Sequence, residues 1–135
     1  MKSKIYLLAI SSAIVMTGVG FTYKMQKDPW IVPESNKKMK NPVASDAESI
    51  AAGKALWTTH CKSCHGAKGL GDGPKAATLK TEPGDFSKTE TQSQTDGSLF
   101  YKTSEGRDDM PSFKKKIPDQ DDIWSLVNYL RTLKK

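Results

Sequence analysis

Cysteine and histidine are scarce in this chain of 135 residues, with two of each, and the scarcity excludes several functions. Both cysteines and one histidine fall in a single stretch, Cys61-Lys62-Ser63-Cys64-His65. His60, the only other histidine, adjoins that stretch, so a tetrahedral zinc site would need a carboxylate that nothing nominates. No cysteine remains for an N-terminal lipid anchor. Excess charge is also missing where a globular domain would lie. The formal net charge is +6, yet residues 41 to 135 carry 14 Lys and Arg against 13 Asp and Glu. That near balance excludes a nucleic-acid partner, and the basic bias belongs to the leading part of the chain. The glycine-rich run Gly66 to Pro74 lacks both a preceding strand and a terminal Lys-Ser/Thr, so it is not a phosphate-binding loop.

What is present is Cys-x-x-Cys-His, the pattern by which haem is attached covalently to protein. If residues 61 to 65 continue a helical turn, Cys64 and His65 lie three and four positions beyond Cys61, so all three side chains share a face. Cys61 and Cys64 are then the candidate thioether anchors, and His65 the proximal ligand of the iron. A redox dithiol of the thioredoxin kind would expect a strand before the pair and a βαβ setting. Here an amphipathic helix precedes it. One such motif excludes a dihaem peroxidase.

The only long apolar run is Ile5 to Phe21, seventeen residues, preceded by Lys2 and Lys4 and followed by Lys24 and Lys27. It is an export segment. Residues 1–27 are therefore expected to be a signal peptide or an uncleaved membrane anchor. Gly18-Val19-Gly20 is a poor cleavage site, and seventeen residues fall just short of a full bilayer span. Residues 28–45, with Pro29, Pro33, Pro42 and the cluster Lys37, Lys38 and Lys40, read as a tether. Trp30-Ile31-Val32 is its one apolar patch, a candidate for docking on a surface or at a lipid interface.

Residues 46–135 read as the folded domain. Asp46 is placed to cap a helix from Ala47 to about His60, whose inner stripe holds Ile50, Gly53 and Trp57. Glycine inside a helix costs about 1 kcal/mol relative to alanine, which points to another helix passing close. The partner is the last segment. Pro118 and Asp119 open it, Asp121 and Asp122 fill its first turn, and Arg131, Lys134 and Lys135 end it, in keeping with the macrodipole. Ile123, Leu126, Val127, Leu130 and Leu133 form its buried stripe, joined by Trp124 and Tyr129. Asp96 is expected to cap a shorter helix carrying Leu99, Phe100 and Tyr101 and ending near Gly106.

Together these features resemble a class I monohaem cytochrome c of the small bacterial type, over roughly residues 47 to 133. Gly53, Trp57 and Cys61 reproduce that family's glycine and aromatic, one turn apart, ahead of the first haem cysteine. Leu126 and Tyr129 match the apolar and aromatic pair on the crossing helix. The resemblance implies an all-α fold in which N- and C-terminal helices cross around one covalently bound haem c, with short middle helices and long loops. It implies a methionine as distal iron ligand. Met110 is the only methionine after Cys61, and Asp109-Met110-Pro111 resembles the family's ligand loop. It also implies a proline carbonyl that accepts the proximal histidine's Nδ1 proton, and Pro74 matches.

Phe86 is then a candidate ring contact. Arg107 and Lys80 are weaker candidates for the haem propionates, with plain solvent exposure the simpler reading of each. Lys114, Lys115 and Lys116 offer either a docking patch or a solvated turn. The implied task is transfer of single electrons, without enzymatic activity of its own, outside the cytoplasmic membrane. The protein would be soluble there after cleavage or tethered by its leading segment. Its partners would be redox proteins such as a terminal oxidase, a cytochrome complex or a periplasmic dehydrogenase, with the membrane surface meeting the leading segment. A fixed electron-input subunit of one oxidase or dehydrogenase, or a ligand-sensing haem protein with Met110 displaced, are the alternative readings.

Overall fold

The expected first long helix forms in the computed structural model, which describes residues 28–135. The export or anchor segment, residues 1–27, lies outside the described residues. Six α-helices follow in order: α1 (Glu34–Lys37), α2 (Ala47–Leu56), α3 (Lys62–His65), α4 (Thr89–Gln92), α5 (Asp96–Glu105) and α6 (Gln120–Thr132). A π-turn (Trp57–Cys61) joins α2 to α3, and Ala76–Thr78 forms a single 3-10 turn. Arg107 and Met110 form an isolated bridge, and the described residues contain no strand. The fold is all-α. No helix among the described residues is long and apolar enough to cross a membrane.

Asp46 caps α2 as expected, and the cap is reciprocal. Its carboxylate accepts from the Ser49 amide at 2.9 Å, while Ser49 Oγ accepts from the Asp46 amide at 3.2 Å. Two of the helix's orphan donors are thereby satisfied. The shorter helix α5 differs from expectation at its start. Thr95, not Asp96, is its N-cap, with Oγ1 accepting from the Ser98 amide. Asp96 instead takes Arg131 of α6, whose Nε donates to it at 2.8 Å. A guanidinium nearby draws the carboxylate outward, leaving the adjacent hydroxyl to cap.

Helices α2 and α6 make the most extensive helix contact among the described residues. Gly53 is the reason they can. A Cβ there would lie 2.8 Å from Tyr129 Cβ and closer still to the Ser125 carbonyl, so only a hydrogen fits at the crossing. Around it Trp57, Cys61, Leu126, Tyr129 and Leu130 form one apolar cluster. On the other side of α6, Leu99, Phe100, Phe113, Ile117, Ile123, Trp124 and Val127 form a second, in which Phe100 and Trp124 stack at 4.1 Å. Helix α6 is thus buried between α2 and α5, and its stripe widens to nearly the whole circumference.

The stretch expected as a tether is packed against the domain. Val32 is 5% exposed. Gly97, at the start of α5, lies so close to the Asn36 carbonyl that a side chain would collide with it. Asn128 of α6, itself buried, holds the following residues. It accepts from Asn41 Nδ2 at 2.8 Å and donates to the carbonyls of Val43 and Ala44 and to Ser49 Oγ. The physical reason is that Pro29, Pro33 and Pro42 stiffen the backbone, and Asn41 and Asn128 supply partners for polar groups that a loose segment would leave to water.

Candidate functional site

Helix continues through the motif, but with a π-turn where an α-turn was expected. The Lys62 amide bonds to the Trp57 carbonyl five residues back. Such turns are uncommon and concentrate at functional positions. Cys61 is buried and Cys64 and His65 are half-buried. Both thiols are free. Burial pushes the Cys61 thiol up to about 12, with the neighbouring Cys64 adding to the effect.

The glycine-rich loop after the motif has a structural task. It folds back over the end of α3 and satisfies the carbonyls that a helix C-terminus leaves open. Lys62 O accepts from the Gly66 amide at 2.9 Å, Ser63 O from Lys75 at 2.9 Å, Cys64 O from Gly73 at 3.2 Å and His65 O from Gly71 at 2.9 Å. Gly73 must be glycine, because a Cβ would fall 2.5 Å from Ser63 O and 2.6 Å from the Cys64 carbonyl group. Trp57 Nε1 donates to Gly66 O at 3.1 Å and so fixes the loop's first residue. The His65 ring packs against two aromatics that also touch each other, Trp57 at 5.6 Å and Phe86 edge-on at 5.1 Å.

Cys61, Cys64, His65 and Met110 line one cleft. It holds about 630 Å³ counted out to its solvent-open mouth. Leu79, Pro83, Pro111 and Phe113 make its walls largely apolar, and Glu82, Asp108 and Asp109 lie exposed at its rim. Met110 is carried by a tight turn after α5. Gly106 ends the helix at φ 68°, and Arg107 and Met110 exchange two backbone hydrogen bonds, at 2.8 and 2.9 Å. Asp109 ties this turn to the opposite lip, its carboxylate accepting from the amides of Lys80 at 2.7 Å and Thr81 at 3.2 Å.

Pro74 is not part of the cleft. It is exposed, between the two amides that bond to Cys64 O and Ser63 O. Phe86 packs on His65 and Trp57 and is absent from the cleft lining. Arg107 is not the solvated side chain expected. Its guanidinium donates to the Asp28 carbonyl, pairs with Asp108 and stacks 4.8 Å from the Trp30 ring. Lys80 is exposed and contributes its amide. Of the three consecutive lysines, Lys114 pairs with Glu105 at 2.6 Å, and Lys116 lies 5.5 Å from the ring of Phe113, a cleft residue. Trp30 and His60 line the cleft without having been assigned there by the sequence. His60 was visible only as a neighbour of Cys61, and Trp30 only as part of an apolar patch, a candidate for docking on a surface or at a lipid interface.

The donor set fits haem. Two free thiols and an imidazole share one wall, a thioether lies in the same cleft, and the lining is mainly apolar, as a flat hydrophobic group requires. Among the described residues no group of three or more His, Cys, Asp or Glu side chains could hold a metal ion by itself, so zinc finds no further ligands.

Comparison with known proteins agrees. The family model described as "Cytochrome c" matches residues 50–134. No curated protein sequence matches the chain. Among solved structures, the chain is similar to part of a "Kuenenia stuttgartiensis reducing HAO-like protein complex Kustc0457/Kustc0458", at 26% identity and a TM-score of 0.61. That match covers 72% of this chain and 50% of the other, so the chain spans half of that relative's length. It is similar also to the "KustC0563 c-type cytochrome", at 29% identity and a TM-score of 0.54, over 62% of this chain and 98% of that one. Cytochrome CL from the marine methylotrophic bacterium Methylophaga aminisulfidivorans shares the fold, at 21% identity and a TM-score of 0.51, over 81% of this chain and 71% of its own.

Proposed function

The chain belongs to the cytochrome c family, whose members carry covalent haem c for electron transport, and from that membership we propose a His65/Met110-ligated carrier of single electrons working outside the cytoplasmic membrane. The observation that carries the reading is the lining of one cleft by Cys61, Cys64, His65 and Met110. When bound there, haem supplies iron that alternates between ferric and ferrous states by one electron. Cys61 and Cys64 would hold its edge covalently, and His65 would bind the iron from a ring packed against Trp57 and Phe86. Met110 would supply the second ligand from this chain, and a thioether in that role raises the potential relative to two imidazoles. Pro74 would accept the Nδ1 proton of His65 through its carbonyl, raising the ligand's basicity; the folding of its loop against Ser63 and Cys64 supports this assignment.

With His65 and Met110 both engaged as ligands, no position would remain for a substrate. That ligand set supports the reading of a carrier, without enzymatic activity of its own. Lys115 and Lys116, exposed beside the cleft, would steer it toward an acidic partner surface on a redox protein such as a terminal oxidase or a dehydrogenase. The extracytoplasmic location rests on the apolar run from Ile5 to Phe21 and its flanking lysines.

Replacing Met110 with Ala tests the ligand set. The variant should lose the sulfur-to-iron charge-transfer band of the oxidised protein and fall in potential, and an unchanged spectrum would refute the assignment. Intact mass of the isolated protein reports whether one haem is covalently attached and whether residues 1 to about 20 are retained. One observation favours a fixed subunit over a mobile carrier, since one similar structure is a complex of two proteins. A partner that co-purifies in stoichiometric amount from gently solubilised membranes would establish that second reading.

A further inference from the structure

Residues 28–32 lie ahead of the stretch matched by the family, yet they meet the Met110 turn at its first residue. Arg107 opens that turn and is joined to Met110 by the pair of backbone hydrogen bonds described above. Between them Asp108 sits at φ 53°, in the left-handed region that aspartate enters more readily than most residues other than glycine, as a tight turn requires. Asp109 ties the turn to residues 80 and 81 on one side.

The other side is held by the leading segment. Arg107 Nη1 donates to the Asp28 carbonyl at 3.1 Å, and the guanidinium carbon lies 4.8 Å from the centre of the Trp30 ring. Its Nε pairs with Asp108 at 3.3 Å. Lys102 Nζ lies 5.5 Å from the same ring, so Trp30 has two cations about it. Trp30 also lines the cleft beside Met110. Two residues on, Val32 is buried at 5% exposure, whereas Ile31 between them is 82% exposed. The segment is thus fixed at Val32 and applied to Arg107 through Trp30 and Asp28.

We infer that residues 28–32 are a clamp on the ligand turn, in which Asp28 and Trp30 hold Arg107 and, through its backbone pair with Met110, hold the methionine in the cleft. Trp30 and Arg107 are positioning residues. The inference rests on Met110 being the iron ligand. It differs from a simple covering role for Trp30, because any bulky apolar side chain would cover the cleft, while only an aromatic ring attracts the guanidinium.

Imidazole added to the full-chain ferric holoprotein captures the fraction in which Met110 has left the iron. Its apparent affinity rises in proportion to that fraction. Trp30→Leu keeps the cover and removes the ring, and Arg107→Ala removes the cation. Each should tighten imidazole binding roughly two- to thirty-fold, the range set by a cation–π contact between exposed and desolvated limits. Trp30→Phe should restore affinity to near the wild-type value, and the double variant should exceed neither single by much, since the two act as one unit. Ile31→Ala should change nothing. Wild-type ferric protein without the sulfur-to-iron band would overturn the ligand reading and the clamp together. A wild type that has the band, with Trp30→Leu and Arg107→Ala variants that bind imidazole as it does, would overturn the clamp alone.

Discussion

Gly53→Ala should destabilise the protein although alanine is the better helix former, and the two opposing magnitudes can be set side by side. Inside a helix, alanine is favoured over glycine by about 1 kcal/mol. At this position the new Cβ would stand 2.8 Å from Tyr129 Cβ and inside the contact distance of the Ser125 carbonyl, where ordinary contact begins at 3.4 Å. The obstructing group is backbone of α6, so no side chain can rotate away. The helices must part by something on the order of 1 Å, and overpacking of this kind costs roughly 1–3 kcal/mol or more. Parting them also loosens Trp57 against Leu126 and Tyr129. Taking the upper end for a backbone obstruction, the net loss is about 2 kcal/mol, which lowers the melting temperature by roughly 8–16 °C in a domain of this size. Thermal unfolding followed by circular dichroism reads this directly. Ala52→Gly, at an exposed position of the same helix, provides the propensity term alone, about 1 kcal/mol of loss. A Gly53→Ala protein that melts above wild type, by as much as Ala52→Gly melts below it, would refute the close crossing.

Asn128→Ala removes the acceptor for Asn41 and the donor to Val43, Ala44 and Ser49. Leaving those groups unmatched should cost roughly 1–3 kcal/mol. Hydrogen exchange should rise first across residues 41–49, and unchanged exchange there would contradict the role given to Asn128. Asp46→Ala removes the cap of α2. The Ser49 amide, bonded to the Asp46 carboxylate, holds that group below its usual range. A carboxyl depressed in the folded state contributes stability above its unfolded pKa and loses it as pH falls through the folded value. The stability difference between wild type and Asp46→Ala should therefore be full at neutral pH and shrink below about pH 4. A difference that persists unchanged at lower pH would show that the cap does not act through the charged carboxylate.

How much could be read in the sequence depended on how local the signal was. Cys61, Cys64 and His65 declare their chemistry within five residues. Gly53 stood out because a glycine in an apolar helical stripe costs stability that only a close neighbour can offset. The stripe of α6 was likewise plain from its period. The contacts of Asn128 were not, because they join residues more than 75 positions apart and leave no periodic trace. The same reason hid the packing of residues 28–45, whose prolines and lysines resemble those of a tether but whose Val32 and Asn41 find partners only in the folded state. Arg107 looked solvated because its partners, the Asp28 carbonyl and the Trp30 ring, also lie far away in the chain. The π-turn at Trp57–Cys61 could not be distinguished from an α-turn, since both keep Trp57 and Cys61 on the inner face. At α5 the expected cap, Asp96, is taken by Arg131 from α6, a partner distant in sequence, and Thr95 caps the helix instead.

The central claim is that iron in the cleft is held between His65 and Met110. X-ray absorption at the iron edge tests it most directly, because it reports the atoms bound to iron whatever the partner or direction of electron flow. The full-chain oxidised protein should show one sulfur in the shell of nitrogens about the iron, and the Met110→Ala variant should show none. A wild-type shell of nitrogen and oxygen alone, or a sulfur that survives the substitution, would contradict the account.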